Sequence, residues 1–167
     1  MEGCKKVRFF RLNKNIDETL FNRFRTFVEK YENRDEELCI VFDSKGGETS
    51  YAAKIIGLMN NSSRKYFGYA YRKVNSAAIA IFLSSHVRFG TSKATALIHR
   101  AILLKSSDAT YEEMLMAEKQ IFEFIADNLS IHLEEIYKMA EGDGTCITME
   151  HPYGKKFFIG SYLRNKE

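Results

Sequence analysis

The 167 residues suffice for one domain with a proper core, and 45% hydrophobic with 28% charged residues is the profile of a globular protein. A net charge of +3, spread along the chain, is too small to indicate a nucleic-acid-binding protein. No apolar run approaches the length of a membrane span, and the charged first residues do not form a signal peptide, so a cytoplasmic protein is expected. The three cysteines are scattered, which does not indicate a disulfide framework.

The first part of the chain alternates between strand and helix patterns. Residues 7–12 are rich in β-formers and predict a short strand. Apolar residues spaced by three and four then predict an amphipathic helix over residues 18–31, with Asp17 as its N-cap. The nearly continuous apolar run 38–43 is typical of a strand buried on both faces, and residues 48–59 again show helical spacing. This alternation predicts an α/β fold with parallel strands and right-handed crossovers.

The rest of the chain begins with strand patterns and then becomes mostly helical. Strands are predicted at residues 66–71, 87–89 and 95–99, with a helix opened by Asn75 and Ser76 after the first of them. Further helices are predicted at residues 111–128 and 130–139, the second capped by Ser130. Residues 157–159 are expected to form a last strand or a docked apolar end. No repeat or linker interrupts the sequence, so residues 1–167 are expected to form one domain.

Ser76 stands where a predicted strand gives way to a predicted helix. At a helix N-terminus the unpaired backbone N–H groups favour negative charge. An oxyanion formed by attack of the serine on a carbonyl carbon would be stabilised there. Serine is also a common N-cap, so the same position is compatible with a purely structural role.

Chemically useful groups follow three of the predicted strands. Gly46 and Gly47 come after the first, Ser76 follows the second, and His99 ends the third. In parallel sheets functional sites collect at the carboxyl ends of the strands. Imidazole has the right pKa to accept the proton of a serine, and a glycine turn can supply N–H groups to an oxyanion. A lone histidine at the end of an apolar strand is also often structural, so spacing alone leaves both interpretations open.

Three short motifs occur in a recognisable order: S-K-G-G-E at residues 44–48, N-S-A-A at 75–78 and A-L-I-H-R-A at 96–101. This order resembles the Clp protease proteolytic subunit and its wider ClpP/crotonase-like superfamily. The similarity continues through residues 130–148, which look like the last helix of the family and the turn that carries its third catalytic residue. The resemblance covers nearly the whole chain from Val7 onward.

The resemblance implies a serine-peptidase site. Ser76 matches the nucleophile, His99 the general base, and Asp143 the carboxylate that orients the imidazole. The backbone N–H groups of Gly47 and Ala77 match the oxyanion hole, and Gly46 belongs to the turn that cradles the substrate backbone. No cofactor is implied. No metal is expected either, because the four histidines share no ligand spacing.

The resemblance also implies an architecture and partners. The fold is expected to be a parallel sheet of ββα-type units, with a head over residues 1–100 and 130–167 and a protruding helical handle over about residues 104–129. The expected substrates are peptides or unfolded proteins. The expected assembly is a homo-oligomeric ring, heptameric or doubled, which an ATPase unfoldase could feed. Neither nucleic acid nor a membrane is an expected partner.

Several positions depart from the family pattern and keep other hypotheses open. Lys45, Asn75, Ala78 and Ala101 replace residues that shape the oxyanion hole and the substrate groove in the family. A catalytically degenerate ring subunit or scaffold, which kept the fold without the activity, is therefore the main alternative. Acyl-CoA chemistry, as in crotonase-like relatives, is a weaker one.

Overall fold

A computed structural model describes residues 6–102 and 109–161 and has the α/β organisation expected from the sequence. The strands are β1 (Val7–Leu12), β2 (Glu37–Ser44), β3 (Tyr66–Val74), β4 (Val87–Gly90), β5 (Thr95–Ile98), β6 (Thr145–Thr148) and β7 (Gly160–Ser161). The helices are α1 (Glu18–Tyr31), α2 (Thr49–Asn61), α3 (Ala77–Leu83), α4 (Tyr111–Leu129), α5 (Leu133–Met139) and α6 (Gly154–Phe158).

The sheet divides at the carboxyl end of β3. Strands β1, β2, β3 and β4 are neighbours in that order and all parallel, and β7 adds antiparallel to β4. The first half of β3 pairs with β4, whereas its end pairs with β5 through Lys73 and Thr95. Strand β5 in turn pairs antiparallel with β6. A short β5–β6 ribbon therefore lies beside the point where β3 gives way to α3.

Helix α1 shows how local signals and packing agree. The side chain of Asp17 accepts a hydrogen bond from the Leu20 N–H at 2.8 Å, as expected for an N-cap. Leu20, Phe24 and Val28, spaced by four, are the buried residues of the helix. Phe24 is fully buried and meets Phe10 of β1 edge-on, with ring centroids 5.1 Å apart. Burying a phenylalanine is worth about 1.5–3 kcal/mol, so this contact helps to fix α1 on the sheet.

Helix α3 is buried along its whole length. All seven of its residues, Ala77–Leu83, are buried, and Phe82 packs edge-on against Phe42 of β2 with centroids 5.2 Å apart. Its small residues allow the helix to lie close to the sheet, where a larger side chain would have to displace the backbone. The start of α3 is therefore held in place on all sides, which matters because Ser76 comes immediately before it.

One local prediction was wrong, and a second had left two alternatives of which the structure has one. Ser130 does not cap the second of the late helices: α4 extends to Leu129, and Ser130 follows it in a left-handed conformation with φ 48°. Helix α5 begins only after His132. Of the two alternatives for residues 157–159, the structure has the docked apolar end and not a strand: Phe157 and Phe158 belong to α6 and both are fully buried.

The long helix of the expected handle is α4. It begins behind a capping box in which Thr110 Oγ1 accepts from the Glu113 N–H at 3.2 Å and the Glu113 carboxylate accepts from the Thr110 N–H at 2.7 Å. The preceding part of the expected handle falls in residues 103–108, outside the described residues. Across residues 6–102 and 109–161, no helix combines the length and apolar character needed to cross a bilayer.

The two described cysteines are expected to react very differently with alkylating reagents. Cys39 lies in β2 with 3% of its surface exposed, and burial raises the pKa of its thiol to about 11, whereas Cys146 is exposed. Only the thiolate reacts, and with this pKa about one Cys39 in a thousand is ionised at pH 8. Iodoacetamide followed by peptide mass spectrometry should therefore modify Cys146 in the native protein and Cys39 only in denaturant. Equal modification of both cysteines in the native protein would contradict this burial.

Candidate active site

Ser76 is held in an unusual backbone conformation between β3 and α3. Its φ is 54° and its ψ −130°, a region that residues other than glycine rarely occupy and that costs on the order of 1–3 kcal/mol. Its side chain makes no capping hydrogen bond, so the N-cap role considered from the sequence does not account for the residue. The half-buried hydroxyl has no hydrogen-bond partner among the described residues. A serine on a strained strand-to-helix turn is one way in which hydrolases present a nucleophile.

The glycine turn after β2 packs directly against Ser76. Gly46 has φ 101°, and a Cβ at that position would lie 2.7 Å from Ser76 Cβ and 2.8 Å from the Asn75 carbonyl oxygen. Real Cβ atoms do not approach so closely, so both the conformation and the space require glycine. On its other side the turn is held by the β1–α1 connection, because the Gly46 carbonyl accepts from the Ile16 N–H at 3.0 Å.

Backbone amides of the glycine turn and of α3 point to an oxyanion-binding arrangement. The Gly46 N–H is occupied, since it donates to Ser44 Oγ at 3.1 Å. The N–H groups of Gly47 and Ala77, by contrast, donate to no acceptor within the described part of the chain. The Cβ built on Gly46 lies 3.3 Å from the Ala77 nitrogen, so the turn and the first residue of α3 adjoin. Unused N–H groups beside a serine are what a developing oxyanion needs.

Strand β5 is attached to the segment that carries Ser76. The Ser76 N–H donates to the Leu97 carbonyl at 3.1 Å, and the Asn75 side-chain oxygen accepts from the Leu97 N–H at 3.1 Å. Leu97 is thus fixed through both of its backbone polar groups. His99 lies two residues further along, about 7 Å away and on the same face of an extended chain. The structure therefore brings Ser76 and His99 onto adjoining segments, although no hydrogen bond joins their side chains within the described residues.

The half-buried His99 ring has one of its nitrogens occupied. Its Nδ1 lies 2.8 Å from the Arg100 carbonyl oxygen. A carbonyl oxygen can only accept, so Nδ1 must carry the proton in this contact. The neutral ring then keeps an unprotonated Nε2, which is the tautomer that a general base for a serine requires.

Asp143 lies next to His99 without bonding to it. It precedes β6, whose first residue Thr145 pairs with Ile98. The intervening Gly144 packs against the base segment, and a Cβ built there would lie 2.8 Å from His99 Cβ. The Asp143 side chain itself is exposed and makes no hydrogen bond or ion pair with any described residue. The triad position implied by the resemblance is therefore exposed beside the site, and no hydrogen bond joins it to the imidazole among the described residues.

A carboxylate that the sequence prediction missed lies behind His99. Glu118 of α4 is only 4% exposed; it accepts a hydrogen bond from the Ala101 N–H at 2.6 Å and forms an ion pair with the Arg100 guanidinium at 3.0 Å. The sequence signal that could have identified Glu118 is its position on the helix. Glu118 lies four residues before Phe122 on the buried stripe of α4, where an apolar residue is the rule. An acidic residue on such a stripe indicates a buried partner, since unpaired buried charges are costly.

Comparison with known proteins identifies a family and a fold for the chain. A family model described as Clp protease matches residues 4–151. Among solved structures, the chain is similar to the ClpP1 N165D mutant from Listeria monocytogenes, with a TM-score of 0.79 and 18% identity over 95% of this chain and 92% of that one. A crystal structure described only as an enzyme gives a TM-score of 0.75 and 14% identity, over 93% and 96% of the two chains.

These results carry different weight. The structural similarities, at such low identity, establish the fold alone, and they confirm the expected ClpP-like α/β architecture. A search of curated protein sequences gave no match. The family match covers most of the length of the chain, including the glycine turn, Ser76, His99 and Asp143. The chain belongs to the Clp protease family.

Proposed function

We propose that this protein is a serine endopeptidase in which Ser76 attacks the carbonyl carbon of a peptide bond. The observation that carries the proposal is the Ser76 hydroxyl, which caps nothing and is held at φ 54° against a turn that only glycine can form. An N-capping serine would show the opposite arrangement, with extended backbone angles and a hydrogen bond to the first turn of the helix. Membership of a protease family supports the same chemistry.

The proposed reaction has two halves. His99 Nε2 takes the proton of Ser76 Oγ as the oxygen attacks, and the N–H groups of Gly47 and Ala77 stabilise the oxyanion. Each such donor is typically worth about 3 kcal/mol in the transition state. The imidazolium then gives its proton to the leaving amine, which departs and leaves an acyl-enzyme. Water, deprotonated by His99, attacks the ester and releases the carboxylic acid, and the proton returns to Ser76.

In this proposal Asp143 orients His99 once substrate is bound. Catalytic hydrogen bonds are often unmade in the unliganded state, and the contact between Gly144 and His99 keeps Asp143 close to the imidazole. Asp143 is exposed and makes no hydrogen bond or ion pair with a described residue, which equally favours the second candidate, a degenerate subunit that has lost its activity. The two candidates differ in whether Ser76 is nucleophilic, which can be measured directly.

The decisive experiment is labelling of the wild-type protein with a fluorophosphonate. The enzyme hypothesis expects one covalent adduct by intact mass, mapped to Ser76 after digestion, together with cleavage of an unstructured protein such as casein. The scaffold hypothesis expects neither an adduct nor cleavage. Labelling without casein cleavage would establish the nucleophile and restrict the substrates to short peptides.

We further propose that the protein acts on peptides or unfolded proteins in the cytoplasm as a homo-oligomeric ring, with an ATPase unfoldase as a possible partner. The outward face of the sheet supports self-association, because it carries Phe9, 63% exposed, Tyr71, 50% exposed, and Val87 and Phe89, each 41% exposed. Exposed apolar side chains on neighbouring strands of one face are typical of a surface that a partner covers.

Sedimentation velocity provides the test of assembly. The wild-type protein is expected to sediment as a species of several protomers, and Phe89→Asp to shift it towards the single chain of 19.3 kDa, because a charge would be buried at the contact. Glu123→Gln, on the exposed side of α4, is the control and should leave the distribution unchanged. A wild-type protein that sediments as one chain at all accessible concentrations would contradict the ring.

A further inference from the structure

Glu118 and His99 are joined through a single peptide group. The carbonyl oxygen of Arg100 lies 2.8 Å from His99 Nδ1, and the N–H of the same peptide unit, contributed by Ala101, donates to Glu118 Oε2 at 2.6 Å. The continuous series is therefore imidazole N–H, peptide carbonyl, peptide N–H and carboxylate. Hydrogen bonds arranged in series polarise one another, so a carboxylate on the N–H side makes the carbonyl a stronger acceptor for the imidazole proton.

The carboxylate at the end of this series is held firmly. Glu118 Oε1 pairs with the Arg100 guanidinium at 3.0 Å, while the guanidinium carbon lies 5.4 Å from the centre of the Tyr137 ring. The Glu118 side chain is 3% exposed, so its charge depends on these partners rather than on water. Both of its oxygens are thus directed at the two residues that follow His99.

We propose that Glu118 is a positioning residue for His99 and acts through the Arg100–Ala101 peptide. This rests on the proposed role of His99 as the general base. In the usual triad a carboxylate bonds directly to Nδ1, fixes the orientation of the ring and keeps the proton on that nitrogen. Here the relayed carboxylate performs both tasks in the unliganded protein, in which the exposed Asp143 makes no hydrogen bond to any described residue. Because Glu118 lies on α4, this role also links the position of α4 to the orientation of the His99 ring.

A purely structural role for Glu118, as an anchor between α4 and the segment after β5, makes a different prediction. An anchor affects the stability of the fold, whereas a positioning residue also sets the tautomer of His99. Two other histidines serve as internal references for measuring this tautomer, because they carry the proton on Nε2, whereas His99 carries it on Nδ1. His86 Nδ1 accepts from the Tyr66 N–H at 3.1 Å and His151 Nδ1 accepts from the Tyr153 N–H at 3.3 Å, so each must carry its proton on Nε2.

The test is long-range ¹H–¹⁵N correlation NMR of protein labelled with ¹⁵N-histidine, at about pH 8, where imidazoles of ordinary pKa are neutral. In the wild type His99 is expected to show protonated Nδ1, and His86 and His151 protonated Nε2. Glu118→Ala, and to a smaller extent Glu118→Gln, should shift His99 towards protonation on Nε2 and leave the references unchanged. Should Glu118→Ala not fold, Glu118→Gln gives the same comparison with a side chain of equal size.

The fluorophosphonate labelling rate provides the second measurement. Glu118→Ala is expected to lower it by about 10- to 100-fold, by analogy with the loss seen when the partners that orient a metal-binding histidine are removed. Glu123→Gln is the matched control and should keep the wild-type rate, because the partly exposed Glu123 side chain lies on the same helix and pairs with Lys119 at 3.7 Å. A His99 tautomer that is unchanged in both Glu118 variants would overturn the proposal.

The two levels of proposal can fail separately. A wild-type protein that is not labelled at Ser76 would refute the peptidase function, but the tautomer of His99 would still show whether Glu118 controls the ring. Conversely, normal labelling combined with an unchanged tautomer and rate in Glu118→Gln would leave the peptidase intact and remove Glu118 from its mechanism.

Discussion

Ser76→Ala is expected to abolish fluorophosphonate labelling and to lower kcat for peptide hydrolysis by about 10⁶-fold, the loss seen when the nucleophile of a serine protease is removed. The fold should be unaffected. The hydroxyl has no hydrogen-bond partner among the described residues, so its removal leaves no polar group unsatisfied. The free energy of unfolding is therefore expected to stay within about 0.5 kcal/mol of the wild-type value. Intact mass spectrometry and thermal unfolding measure the two effects on the same samples.

Other serines of the chain provide matched controls for this substitution. Ser92 is exposed in the connection between β4 and β5, and Ser92→Ala should change neither labelling nor stability. Ser84 is buried, and its Oγ donates to the Ala80 carbonyl at 2.8 Å, so Ser84→Ala should lower stability by about 1 kcal/mol and leave labelling intact. An adduct that still forms on Ser76→Ala would remove Ser76 from the mechanism.

Most helices and strands could be predicted from the local sequence pattern, because the apolar spacing, the capping residues and the packing of each element agree. The run at residues 38–43 is apolar except for Asp43, and it forms β2, an interior strand between β1 and β3. Helix α1 keeps the bounds 18–31 because its apolar spacing, its Asp17 cap and its packing on the sheet all select the same residues. Where several local preferences select the same residues, tertiary packing stabilises the element that the sequence already favours.

Sequence reasoning failed where a local signal competed with packing. Serine is a common N-cap residue, yet α4 continues to Leu129, directly before Ser130. It does so because Phe122, Ile125 and Leu129 form one continuous buried stripe along the helix. Ser130 then ends that helix in a left-handed conformation instead of starting the next one. At residues 157–159 the apolar pattern left two alternatives open, a last strand or a docked apolar end. Phe157 and Phe158 are both buried from a short helix, where their rings meet Phe82 of α3.

The candidate site could be predicted as a set of positions but not as a set of contacts. The order of the glycine turn, Ser76 and His99 places them on adjoining segments, because strands of a parallel sheet end at one edge. Sequence order does not specify which oxygen accepts the His99 Nδ1 proton. That depends on the path of a few residues after β5, where the Arg100 carbonyl oxygen lies 2.8 Å from His99 Nδ1, in the place expected for Asp143.

The second large effect is expected for Gly46→Ala, which should slow fluorophosphonate labelling by about 10²- to 10³-fold, comparable with the loss of an oxyanion-hole donor. The added Cβ would lie 2.7 Å from Ser76 Cβ and 2.8 Å from the Asn75 carbonyl oxygen, on a backbone with φ 101° that alanine avoids. Neither neighbour can yield easily, because Asn75 and Ser76 are both hydrogen-bonded to Leu97. The turn itself must move, and the Gly47 amide with it.

Gly57→Ala is the matched control for the cost of adding a methyl group. Gly57 lies within α2, and a Cβ there would meet nothing within 4 Å, so alanine should be neutral or stabilise the protein by up to about 1 kcal/mol through its helix propensity. Labelling should not change.

Gly46→Ala should also lower the thermal midpoint, since a strained φ costs on the order of 1–3 kcal/mol. A Gly46→Ala protein that labels at the wild-type rate would show that the turn does not shape the oxyanion site. If Gly46→Ala folds normally but labels slowly, the defect lies in the geometry around Ser76. The Gly57→Ala control supports this conclusion, because it measures the effect of an added methyl group elsewhere in the chain.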